Sequence, residues 1–113
     1  MSAITTHVLD TARGRPATGV AVVLEFEREG AWREIGRGVT DADGRVKALL
    51  APGVSLSAGV HRLTFETGTY FAGQNVAAFY PRVVVVFHLT DPQQHHHVPL
   101  LLSPFGYSTY RGS

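Results

Sequence analysis

The chain has 113 residues, no cysteine and a formal net charge of +1 with histidine neutral. That length predicts one domain, residues 1–113, with a core large enough to need no covalent staple. Disulfides, thiolate metal sites and cysteine nucleophiles are excluded, and no basic run is long enough for a nucleic-acid footprint. The first residues show no basic region followed by an apolar core, and the longest apolar runs, such as 83–87, are too short to cross a bilayer. The expectation is a cytoplasmic protein with neither nucleic-acid nor membrane partners.

Glycine and proline recur about every ten residues, with valine, threonine and aromatics between them, which predicts short strands in an all-β fold. Ile4 to Leu9 is a first strand, and residues 10–19, with Gly14, Pro16 and Gly19, form a loop. From Val20 to Glu29, Val22, Leu24 and Phe26 alternate with Val23, Glu25 and Glu27, as on a strand with one buried face. Trp32 to Thr40 is a strand shortened or bent by Gly36 and Gly38.

Asp41-Ala42-Asp43-Gly44 is a turn, with Gly44 free to take positive φ. It is not a calcium loop, because the sixth position, where that loop needs glycine, is Val46. Arg45 to Leu50 is predicted as a short strand, and Val60 to Thr67 as another, with His61, Leu63 and Phe65 on one face. Thr69 to Phe79 lacks β-branched residues and predicts a helix ending before Pro81. Arg82 to Thr90 is the most hydrophobic strand and is predicted to be central. His95 to Leu102 is predicted as its hairpin partner, with Pro99 at an edge or bulge. Tyr107 to Tyr110 completes eight strands and one helix, a two-sheet sandwich.

Half of the six histidines are consecutive, at His95, His96 and His97. On a strand, His95 and His97 share a face and His96 takes the other. His61 alone reads as a half-exposed surface residue, and His88, inside an apolar run, as core or interface packing. Two chemistries fit the His95/His97 pair. With His7 it makes a three-histidine zinc site with an open position, although no carboxylate stands nearby to support the ligands. Alternatively, neutral imidazole takes a proton from water near pH 7, while an arginine such as Arg45 holds an oxygen-rich substrate. The tail 110–113 adds hydroxyls, or frays.

The segments 7–17, Thr40-Asp41-Ala42-Asp43-Gly44-Arg45, Phe79-Tyr80-Pro81, His97-Val98-Pro99-Leu100-Leu101-Leu102-Ser103-Pro104 and the closing Tyr107 to Ser113 together resemble the transthyretin-related 5-hydroxyisourate hydrolase family of urate breakdown. The resemblance covers essentially the whole chain. The closing Tyr110-Arg111-Gly112-Ser113, with the histidine before Val-Pro-Leu-Leu-Leu-Ser-Pro, is what distinguishes the hydrolases from hormone-carrying transthyretin. It implies a transthyretin-like sandwich of two four-stranded sheets with a short helix. It also implies a homotetramer with active sites between subunits, and hydrolysis of a ring amide of 5-hydroxyisourate without metal or organic cofactor. By the same resemblance His7, Arg45 and His97 are catalytic, and His7, Arg45, Tyr110 and Ser113 bind substrate. Which histidine is the base stays open. The family often carries an aromatic residue where His96 stands, and asparagine where Asp41 stands. Residues alone leave two rivals to an enzyme, a carrier of small aromatic ligands and a structural sandwich.

Overall fold

In the first strand every second side chain is buried: Ile4, Thr6, Val8 and Asp10 point into the molecule, while Thr5, His7 and Leu9 point outward. This strand, β1 (Ile4–Asp10), belongs to a computed structural model that describes residues 3–112. The chain continues through β2 (Arg15–Pro16), β3 (Ala21–Arg28), β4 (Ala31–Val39), β5 (Gly59–Phe65), helix α1 (Thr67–Ala72), β6 (Val83–Leu89), β7 (His96–Ser103) and β8 (Gly106–Thr109). Two four-stranded sheets result, ordered β2-β1-β7-β8 and β4-β3-β5-β6. The two-sheet sandwich expected from the sequence is therefore the observed architecture. Between the sheets lie Ile4, Val8, Leu24, Leu63, Phe65, Leu89, Leu100 and Leu102, all essentially inaccessible to water. Buried side-chain polar groups are mostly answered: Thr6 donates to the Val98 carbonyl at 2.7 Å, and Tyr70 donates to the Asp10 carboxylate at 2.7 Å.

Several expectations are corrected. Arg45 to Leu50 forms no strand. Arg45 bridges His7 of β1 and Leu50 bridges Gly36 of β4, so the segment crosses from one sheet to the other and can follow neither ladder. Val46 and Leu49 plug the core edge as it crosses. Gly36 and Gly38 lie within a continuous β4, and their role is proximity: a Cβ on Gly36 would overlap the Leu49 carbonyl, and one on Gly38 the Val46 side chain.

The valine-rich β6 is not central but a sheet edge, and β7 is not its hairpin partner. After the turn at Asp91, where Gln94 N–H bonds to the Asp91 carbonyl at 3.0 Å, the chain enters the other sheet. There β7 runs parallel to β1 and antiparallel to β8. Pro99 thus occupies an inner strand. It stands one position beyond the last β7–β8 pair, Leu100↔Thr109, and Thr109 Oγ1 donates to its carbonyl at 2.7 Å. On the β1 side, His96 N–H donates to the Ala3 carbonyl, so by strand alternation the proline nitrogen faces the gap before the separate His97↔Gly112 bridge.

The helix is shorter than predicted and begins earlier. Gly73 follows it, and Asn75 with φ 58° turns the chain out of helical geometry. His61 is fully buried rather than half-exposed, and His88 is exposed within one chain, so it is not a core residue.

Candidate active site

The outer face of the β2-β1-β7-β8 sheet gathers the predicted groups. Pairing of β1 with β7 sets Thr5 opposite His97 and His7 opposite Pro99. Thr5, His7 and His97 therefore project on the same side, away from the core. The Asp41–Gly44 turn delivers the arginine. Its Asp41 Oδ1 accepts the backbone N–H of Asp43 at 2.9 Å and of Arg45 at 3.0 Å. The Arg45 N–H also holds the Asp41 carboxyl below its ordinary range. Gly44 then takes φ 76° and lies flat against β1, its carbonyl accepting the Val8 N–H at 2.8 Å. A Cβ there would overlap the Val8 carbonyl, so only glycine allows the approach that sets Arg45 beside His7. Arg45 is exposed and enters none of the ion pairs among the described residues. Its donors remain free for an anionic or carbonyl oxygen.

His97 is the half-buried member. Burial lowers its pKa, and the positive charge of Arg45, with His95 and His7, pushes in the same direction. The ring is neutral near pH 7 and able to accept a proton. Its Nδ1 lies 2.8 Å from Thr5 Oγ1, which leaves Nε2 as the nitrogen free for reaction. The tail closes over it: Gly112 N–H donates to the His97 carbonyl at 2.8 Å, and a Cβ on Gly112 would strike the imidazole Cδ2.

The structure brings His7, Arg45 and His97 together on this face. Tyr110 is not among them within one chain. It is exposed and lines a separate apolar cleft of about 230 Å³ with Val85, Phe87, His96 and Val98. Ser113 lies outside the described residues. A larger groove of about 580 Å³, lined by Arg13, Arg15, Thr69 and Tyr70 among others, includes none of the predicted site residues. Among the described residues no group of three or more His, Asp or Glu side chains has metal-holding geometry, so the weighed set of His7, His95 and His97 does not form one. Thr5 was not singled out from the sequence, and Gly112 only as part of the closing tetrapeptide. The i, i+2 spacing of Thr5 and His7 was the available signal for Thr5.

Residues 4–112 match the profile of the HIUase/Transthyretin family. The chain belongs to that family. It is 46% identical over 110 residues to a 5-hydroxyisourate hydrolase from Salmonella dublin, covering 97% of this chain and 80% of the relative. The solved 5-hydroxyisourate hydrolase of Klebsiella pneumoniae superposes with a TM-score of 0.82 at 41% identity, over 97% of this chain and 98% of the other. Sea bream transthyretin in complex with thyroxine superposes at 0.88 with 35% identity, over 96% and 93%. The fold is shared by hydrolase and hormone-binding members alike, so the function is decided by the side chains on it.

Proposed function

We propose that this family member is an enzyme that hydrolyses 5-hydroxyisourate, opening its ring amide to 2-oxo-4-hydroxy-4-carboxy-5-ureidoimidazoline in urate catabolism. The observation that carries the reading is the convergence of His7, His97 and an unpaired Arg45 on one sheet face. Water attacks the ring carbonyl while His97, kept neutral, takes its proton and His7 orients it. Arg45 receives the oxyanion that develops on the attacked carbonyl, where a donor fork is worth more than in bulk water. Tyr110 and Ser113 close the pocket and orient the ring. The route uses water and side chains of this chain and its copies.

The same reading includes a homotetramer with sites between subunits. Edges β6 and β8 are both unpaired in the monomer, and Val84, Val86, Phe105 and Tyr107 are exposed around them. Such edges and apolar patches favour pairing with another copy. The site itself lies on an open sheet face that a neighbour would enclose. No helix is long and apolar enough to cross a membrane, and placement in the cytoplasm is part of the proposal.

The test is the decay of 5-hydroxyisourate freshly generated from urate, followed by ultraviolet absorbance with and without chelator. Fast, chelator-insensitive decay that vanishes in His97→Ala supports the reading. Decay at the spontaneous rate would overturn it in favour of a carrier like the thyroxine-bound relative.

A further inference from the structure

Thr5 has one hydroxyl proton and stands between two imidazoles. Its Oγ1 lies 2.7 Å from His95 Nε2 and 2.8 Å from His97 Nδ1. A hydroxyl donates one hydrogen bond and accepts through its lone pairs. It therefore donates to one of these nitrogens and accepts from the other, and two arrangements satisfy both bonds. In the first, His97 Nδ1–H donates to Thr5 and Thr5 donates to His95 Nε2. His97 then carries a bare lone pair on Nε2 and is a base. In the second, His95 Nε2–H donates to Thr5 and Thr5 donates to His97 Nδ1. His97 then carries its proton on Nε2 and is an acid. The tautomer of a ring nitrogen follows from the bond its partner nitrogen makes, and here one hydroxyl sets both rings together.

The fold builds this bridge deliberately. Thr5 is the register partner of His97 across the parallel β1–β7 ladder, and His95 precedes His97 by two positions, so all three share the outer face. The two rings lie 6.2 Å apart between centroids, with their planes 32° from parallel. Gly112 packs on the Cδ2 side of the His97 ring and holds its orientation. His97 is half-buried and His95 is exposed, so the line His97–Thr5–His95 leads from the reaction face to water.

We propose that Thr5 and His95 form a proton shuttle that switches His97 from base to acid within one hydrolytic cycle. The proposal rests on the reading of His97 as the proton-transfer group. In the first half-reaction a water O–H bond breaks, its oxygen bonds to the ring carbonyl carbon and its proton goes to His97 Nε2. The Nδ1 proton passes to Thr5 Oγ1, and the Thr5 proton passes to His95 Nε2. His95 now holds one extra proton, and His97 is neutral with its hydrogen on Nε2. In the second half-reaction the carbon–nitrogen bond of the tetrahedral intermediate breaks. The leaving nitrogen takes the Nε2 proton, and the chain runs back from His95 through Thr5 to Nδ1. One water is consumed, no net proton is released by the shuttle, and the first arrangement is restored. Thr5 and His95 act through His97 and are positioning residues.

The experiment measures 5-hydroxyisourate hydrolysis by Thr5→Val, Thr5→Ser, His95→Gln and His97→Ala in mixtures of light and heavy water. Thr5→Val is expected to lower kcat about 10–100-fold with KM unchanged, the size seen when a group orienting a reactive side chain is lost. Thr5→Ser restores kcat to within a few fold, and His95→Gln falls by roughly tenfold. The wild-type rate bows with deuterium fraction, as for several protons moving together, and becomes linear in Thr5→Val. Full kcat in Thr5→Val, or in His95→Gln if the valine variant does not fold, overturns the shuttle. So does a Thr5→Ser variant as slow as Thr5→Val. If His97→Ala also keeps full rate, the reading of His97 as the base falls with it. If His97→Ala is inactive while Thr5→Val is fast, the shuttle alone falls.

Discussion

Strand β7 carries histidines on both faces, and the two faces treat them oppositely. On the outside, His97 meets the Thr5 hydroxyl at Nδ1 and lies within the field of Arg45, with Nε2 left for chemistry. On the inside, His96 is buried and its field reaches the fully buried His61 between the sheets. Each inner ring donates from Nδ1 to a backbone carbonyl two residues earlier, His96 to Gln94 at 3.0 Å and His61 to Gly59 at 3.1 Å. That bond puts the proton on Nδ1, so both Nε2 atoms are buried acceptors with no donor. Aromatic neighbours complete the enclosure, with Phe26 4.8 Å and Phe87 5.9 Å from the His61 ring. The lesson is that burial alone does not make a histidine reactive. The outer ring combines partial burial with a partner that fixes its tautomer and an open side bearing Arg45, whereas His61 is enclosed and His96 meets only an apolar cleft.

The sharpest way to break this comparison is to remove one imidazole from each face. His97→Ala is expected to lower kcat/KM by about 10²–10⁴-fold, or about 3–5 kcal/mol, with the melting temperature little changed. Arg45→Gln should cost about 10²–10³-fold, as for one lost oxyanion donor. Arg45→Gln has a second readout. His97 must be neutral to act as a base, and its pKa lies below the ordinary histidine value. Activity should therefore hold as pH falls through about 6.5 and drop only at lower pH. Without the Arg45 charge the acid limb should move up in pH, with burial of the ring still holding the pKa down. A limb that stays fixed in Arg45→Gln would show that Arg45 does not act on His97.

Next in size is the turn that carries Arg45. Gly44→Ala forces a side chain into positive φ and against the Val8 carbonyl, which should cost about 2–4 kcal/mol. Gly14 has a similar φ, 69°, but open space around it. Gly14→Ala should cost less, about 1 kcal/mol from backbone conformation alone. Equal losses in thermal unfolding of the two variants would mean that the close approach at Gly44 is not what holds the turn.

Much of the sandwich was legible because its signals are local. Alternation in β1, β3 and β5 states which residues face the core, and Asp41 to Gly44 spells its own turn. Sheet membership was not legible for β6 and β7. Four consecutive valines read as a central strand, but Val84 and Val86 are exposed, and the turn at Asp91 crosses between sheets instead of closing a hairpin. The same long-range step hid part of the site. Resemblance pointed to His7, Arg45 and His97, whereas Thr5 depends on a parallel register joining segments about ninety residues apart, which no local pattern encodes. His61 was misjudged because one histidine in an alternating strand looks the same whether its face meets water or another sheet.

The inner pair gives the smallest effects and the finest test. His61 has its pKa lowered, first by burial and then by His96, so the folded state binds fewer protons there than the unfolded chain. Stability is then full above the unfolded value near 6.5 and falls as pH drops towards the folded pKa, by at most about 1.4 kcal/mol per pH unit for this group. His96→Phe removes one orphan Nε2 and the polar neighbour of His61. The Gln94 carbonyl it releases belongs to an exposed residue and can bond water, and the adjoining cleft has room for the larger ring. The variant should gain about 1 kcal/mol, or about 4 °C in Tm, with kcat unchanged. A gain in Tm with intact hydrolysis separates the two faces of β7 as structural and chemical. A loss of hydrolysis comparable to that of His97→Ala would instead mean that the inner histidines reach the reaction through the strand, and the division drawn between the faces would fail.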